Sequence, residues 1–194
     1  MKQILIGITL LTKILAYEGD QCKKVDYEFN VKKFDALRVY IDFGIGRLNL
    51  SPGKSRYFIT GFIDYNNSLS APSVSLTSNN NIAKLKIDVK ADMKFGNNDG
   101  NFSLDDLNIN KDDNKYKINF QLPTHIATVI ILEFGLGAAN LDFTGLRISQ
   151  LKMDCGLSDV RMKVTKPNRI DCDKVEISIA ISVPNGADLG NLNS

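Results

Sequence analysis

Apolar and polar residues alternate with a period of two over most of this chain, and no helical period separates the alternating stretches. The alternation predicts strands at residues 57–65, 73–77, 82–89 and 116–122, where β-branched and aromatic side chains suit a pleated surface. A further run places Val175, Ile177, Ile179, Ile181 and Val183 on one face. Residues 90–115 are poor in large apolar side chains and rich in Asn, Asp and Lys, which predicts a loop or an irregular excursion. Residues 184–194, with Asn-Gly and Leu-Gly steps, read as a loosely held tail.

One pattern recurs. Ile41-Asp42-Phe43-Gly44-Ile45-Gly46 aligns with Leu132-Glu133-Phe134-Gly135-Leu136-Gly137 and with Met153-Asp154-Cys155-Gly156-Leu157-Ser158. Each copy is an apolar-acid-apolar step, a glycine, and a second small residue one place beyond, after which alternation resumes. The pattern predicts two short strands joined at a corner, where glycine permits a bend that a Cβ would resist. By parity Asp42, Glu133 and Asp154 face outward, while Phe43, Phe134 and Cys155 face the core. Met153 follows Leu132 by 21 residues, and the run at Val175 begins 22 residues after Met153, about one coil per repeat. The expected fold is all-β: stacked β-coils in a single-stranded β-solenoid, each rung buried against its neighbours.

A length of 194 residues suits one domain with a substantial core. Met1-Lys2-Gln3 followed by the apolar run from Ile4 to Leu11 has the layout of a secretory signal, with Ala16 as the small residue before the cut. The expected division is therefore a signal peptide at 1–16, a single β-repeat domain at 17–183 and the tail at 184–194. The apolar run is shorter than the roughly 20 residues of a spanning helix, and no later segment is longer, so strong membrane insertion after cleavage is not expected. Cleavage removes Lys2 and Lys13, which brings the 24 basic residues down to 22, equal to the 22 acids. That balance argues against nucleic acid as a partner.

Candidate chemistry is sparse. Gly135-Leu136-Gly137 resembles the start of a dinucleotide loop, but Asn140 stands where the third glycine belongs, and strand alternation follows where a helix is required. The segment from Gly96 to Asn101 resembles part of a calcium loop, yet Phe95 occupies the first ligand position, so a polar turn is expected there. His125, the only histidine, has no serine or cysteine nucleophile motif beside it and reads as a polar residue at a strand start. The three cysteines, Cys22, Cys155 and Cys172, do not form an even framework, although one bridge is compatible with them, and Cys172 is placed about one rung from Cys155. Gly19, Asp20 and Gln21 before Cys22 are not a lipidation box. The acids flanking Cys172 raise its thiol pKa and argue against catalysis. A glycan-processing enzyme would require two acids facing one groove about 5 to 10 Å apart. No catalytic, cofactor-binding or metal-binding residue is assigned, and no cofactor is expected.

Residues 132–143 and 151–164, with Gly145-Leu146 between them, resemble the toast-rack domain of bacterial envelope proteins, which includes LiaF-like regulators of the cell-wall stress response. The pattern is also similar to the adhesin-type β-repeat domains of bacteria, and the resemblance spans roughly residues 35–183. It implies a toast-rack sandwich of stacked coils at the periplasm or cell surface, with a binding or regulatory role and no catalysis. The chain departs from the regulators in lacking their multiple membrane spans. The expected function is thus a non-catalytic exported envelope domain for binding, adhesion or scaffolding, with a protein or cell-wall glycan as partner. The alternative is a regulator of envelope-stress signalling that acts through a membrane partner.

Overall fold

The computed structural model describes residues 17–18, 22–90 and 116–181. The expected signal at 1–16, nearly all of the 90–115 excursion with its 96–101 turn, and the 184–194 tail lie outside the described residues. The described residues form ten strands: β1 Tyr17–Glu18, β2 Cys22–Asn30, β3 Ala36–Pro52, β4 Phe58–Asn66, β5 Ser73–Asn79, β6 Ile82–Val89, β7 Tyr116–Leu122, β8 Ala127–Asp142, β9 Arg147–Lys163 and β10 Lys174–Ile181. They join in the order β1-β2-β4-β7-β3-β8-β9-β10, with β6 also on β3 and β5 on β6. The all-β reading is correct.

The parallel stack β3-β8-β9-β10 carries the coil pattern. Asp42 pairs with Glu133, which pairs with Asp154, and Phe43, Phe134 and Cys155 form the next row. Two features differ from a pure solenoid. The rest of the sheet is mixed: β6 and β7 join β3 in parallel, while β1-β2, β2-β4, β4-β7 and β5-β6 are antiparallel. In addition, Val175 lies beside Leu151, so Ile177 rather than Val175 is level with Met153. The shift is two residues, an even number, so the apolar face is kept.

The strands continue through the expected corners as single elements of 16 or 17 residues, with the same register before and after the corner. What changes at the corner is the buried face. In β3 the buried positions are Leu37, Val39, Ile41 and Phe43, then Leu48 and Leu50. The parity flips between Phe43 and Leu48, which lets the chain bend while the same core stays on its inside. β8 flips likewise, from Leu132 and Phe134 to Ala139 and Leu141. One edge of β3 pairs with β6 before the corner and with β7 after it, so the bend marks the boundary between two halves of the sheet.

Glycine is required at these corners by close backbone approach. Gly46 and Gly137 adopt φ of +135° and +126°, a region that side chains with a Cβ rarely enter. A Cβ on Gly137 would strike the Gly46 carbonyl oxygen, and one on Gly156 would lie 2.6 Å from the Gly135 carbonyl oxygen. Next to this glycine stack the rings of Phe43 and Phe134 lie parallel, 5.0 Å apart at 8°.

β9 carries an irregularity: Thr128 pairs with Ile148 but Val129 with Gln150, leaving Ser149 as an extra residue. Beyond the bulge Asn168 substitutes for a strand. Its side chain accepts from the Ile148 N–H (3.0 Å) and donates to the Ile148 and Ile170 carbonyls (2.7 and 2.8 Å), and the residue is buried. Asn168→Ala leaves main-chain groups of Ile148 unpaired, with an expected loss of about 2 kcal/mol read from urea unfolding midpoints. No change in stability would mean that water replaces the amide.

Candidate binding face

The two halves of the sheet present different outer surfaces. Before the corners, the outward row Asp88, Asp42, Glu133, Asp154 runs across four adjacent strands. The next outward rows hold Lys86, Tyr40 and Lys152, then Lys84 and Arg38. Lys84 stands over the Tyr40 ring at 4.5 Å, and Asp88 accepts from Lys86 at 3.1 Å. A groove of about 340 Å³ is lined by Arg38, Tyr40, Thr77, Asn79 and Lys84 among others. The acids Asp42, Glu133 and Asp154 point outward as their parity requires, and they are exposed. Among the described residues no group of three His, Cys, Asp or Glu side chains is placed to hold a metal.

After the corners the outer surface places a charged row, Asp64, Lys117, Arg47 and Asp159, beside a row of amides. Phe62 of β4 pairs with Asn119 of β7, Asn119 with Asn49 of β3, Asn49 with Asn140 of β8, and Asn140 with Arg161 of β9. Beside this row, Thr60 pairs with Gln121 and Gln121 with Ser51. The Asn140 amide nitrogen donates to the Asn49 amide oxygen at 3.1 Å, which fixes both side chains. A groove of about 280 Å³ lies between the two rows, with Asn49, Asn140 and Arg161 on one wall and Ser51, Asp142 and Lys163 on the other. Leu50, Leu141 and Met162 form its floor with their main chain, since their side chains are buried in the core.

The charges around this groove are matched. Arg161 donates to Asp159 at 3.1 Å, and Lys163 lies 4.0 Å from Asp142. Asp142 also accepts from the Thr144 N–H at 2.9 Å. Neither groove contains two acids, so the paired-carboxylate geometry of a glycosidase is not assembled in them.

A family model for the N-terminal domain of toast-rack proteins matches residues 18–179, most of the chain. The chain belongs to the toast-rack family. The crystal structure of a candidate cell adhesion protein from Clostridium sporogenes aligns with a TM-score of 0.61 at 22% identity, covering 81% of this chain and 68% of that one. At that identity the likeness establishes the fold. A candidate adhesin from Parabacteroides distasonis aligns over 82% of this chain and 66% of its own, at 11% identity and a TM-score of 0.28. No protein with a curated description matches the chain.

The remaining singled-out residues of this toast-rack domain have structural surroundings. His125 lies just before β8, its ring edge-on to Tyr57 at 4.9 Å, and its carbonyl accepts from Arg147 at 3.2 Å. Burial pushes the imidazole below its ordinary pKa, with the charges of Arg56 and Arg147 acting in the same direction, and both ring nitrogens are buried without a hydrogen-bond partner among the described residues. Gly135 and Gly137 sit within β8, not at a helix start, so the dinucleotide reading fails on topology. The three cysteines are free thiols. Ile179, not Cys172, occupies the place beside Cys155.

Burial pushes the Cys155 thiol up to about 11, with Asp154 adding to the rise. Cys172 is also raised, first by burial and then by Asp173, against a hydrogen bond to the Lys174 main chain. Burial thus exceeds the acidic neighbours as the cause. Native chain treated with iodoacetamide at about pH 8 should modify exposed Cys22 first, and Cys155 only after denaturation. Peptide mass spectrometry reads the order, and rapid native labelling of Cys155 would contradict its place in the core.

The amide row was legible only in part. Asn49 and Asn140 share a place in the aligned copies, which is the signal that marks them. Asn119 and Gln121 lie in a strand outside the pattern, and their register with β3 has no local signature.

Proposed function

We propose that this chain is a non-enzymatic binding domain of the bacterial cell envelope that acts in adhesion or scaffolding through the outer faces of its sheet. The observation that carries the reading is the outer surface of β4, β7, β3, β8 and β9. There, in-register polar side chains line an exposed groove whose floor is rigid sheet and whose walls hold no nucleophile, base and acid set. A surface of this kind offers many weak, cooperating contacts, which suits retention on a large partner. Membership of the toast-rack family and the cell-adhesion description of the Clostridium sporogenes relative support the envelope setting. The amino-terminal layout from Met1 to Ala16 supports export.

The test has two parts. Mass spectrometry of fractionated cells should find the protein in the envelope, with a mature terminus near Tyr17. Purified chain should then co-sediment saturably with isolated envelopes. An intact Met1 in the cytosol, or no co-sedimentation, would overturn the proposal. Co-sedimentation with membranes alone, after removal of the wall, would point instead to a membrane signalling partner.

A further inference from the structure

We infer that the groove between Asn49, Asn140 and Arg161 on one side and Ser51, Asp142 and Lys163 on the other binds an extended, uncharged polysaccharide. The inference rests on the envelope-binding reading and names the site and ligand class within it.

Charge comes first. The cations at the groove have acidic partners within the protein, Arg161 with Asp159 and Lys163 with Asp142. The groove therefore carries no excess charge to select an ionic ligand. What it offers is the hydrogen-bonding capacity of neutral amides set among the apolar stems of its lining side chains. An amide has two N–H donors and two acceptor lone pairs, so the Asn49–Asn140 bond uses one donor and one acceptor and leaves capacity for a hydroxyl at each residue. Sugar hydroxyls both donate and accept, which matches an amide better than it matches a one-sided ion.

Geometry comes second. The row Asn119, Asn49, Asn140 repeats from strand to strand at about 4.8 Å. That interval is close to one sugar unit along an extended polysaccharide, so successive units meet equivalent groups. The groove runs across the strands, and the same two rows continue over β7 to Thr60 and Phe62 of β4. The aliphatic stems of Arg161 and Lys163 at one end provide apolar surface for the C–H faces of pyranose rings, whereas the Phe62 ring at the other is covered by the Lys24 ammonium, 4.4 Å from its centroid.

The same features disfavour a peptide. The groove lies in the middle of the sheet, where β3 and β8 have both edges hydrogen-bonded, so no strand can be added there. Its floor has no apolar pocket for an anchoring side chain, because Leu50, Leu141 and Met162 turn inward.

The experiment uses the full chain, retained on cellulose, chitin, dextran or mannan, with alginate as the polyanionic comparison. Soluble oligosaccharides of the retaining polymer are then titrated by calorimetry. Binding should strengthen with oligosaccharide length. The double variant Asn49→Ala/Asn140→Ala should weaken it by about tenfold or more, whereas Glu133→Ala on the charged face should not. Circular dichroism confirms that each variant is folded. Retention on none of the uncharged polymers, retention on alginate alone, or affinity unchanged in the double variant would each overturn the inference. If the chain sediments with envelopes yet fails on every uncharged polymer, the glycan assignment falls and the envelope-binding reading stands. If both fail, both fall.

Discussion

Gly137→Ala is expected to destabilise the domain by about 4 kcal/mol, a large part of the roughly 5–15 kcal/mol that holds a domain folded. Two costs combine. The residue has φ of +126°, where a Cβ is strained by roughly 1–3 kcal/mol. The added carbon also meets the Gly46 carbonyl oxygen, a main-chain atom that cannot step aside without parting β3 from β8. Gly145→Ala is the control. Its φ of +78° is also left-handed, but nothing lies within 4 Å of the new carbon, so only the conformational cost of about 1–2 kcal/mol remains. Urea unfolding followed by circular dichroism separates the two, and equal losses would refute the packing argument.

Phe134→Ala should cost about 4 kcal/mol, the usual consequence of emptying a buried aromatic site. The ring lies between Phe43 on β3 and Cys155 on β9, and is stacked on Phe43. Because the strands are pinned on both sides by main-chain hydrogen bonds, the site cannot collapse to fill the cavity. Phe134→Leu, which keeps most of the volume, should lose less than half as much. The pair Phe43→Ala/Phe134→Ala should fall short of additivity by about 1 kcal/mol, since either single variant already breaks the stack. Strict additivity would show that the rings contribute separately.

The parallel stack was legible because its information is local and repeated. An acid, an aromatic and a glycine at fixed spacing are enough to align Asp42 with Glu133 and Phe43 with Phe134, and β6 and β7 fall at the residues their alternation marks. β2 was not legible, although Val25 and Phe29 are buried. Its nine residues include Lys24, Asp26 and Glu28 on the outer side and Lys23 on the same side as Val25, and so many charges mask the short apolar face. The antiparallel pairing of β2 with β4 has no signature because no tight turn joins them. The candidate groove was least accessible, for a similar reason. It exists only once residues as distant as Asn49, Asn119 and Asn140 are brought level, and register over such separations is decided by the whole core.

The position of β3 also constrains how the chain reaches this state. It stands inside the sheet, yet its neighbours are synthesised well after it: β6 from Ile82, β7 from Tyr116 and β8 from Ala127. A chain emerging from the ribosome therefore carries β3 with one edge open until β6 is made and the other open until β8 begins at Ala127, about two thirds of the way along. Folding dominated by such distant pairings is slow, on the millisecond-to-second scale, and the waiting strand is open to aggregation. The outward acids and lysines of β3 and its neighbours, spread along the edges while they wait, act as a guard against self-association before they become an ordinary surface.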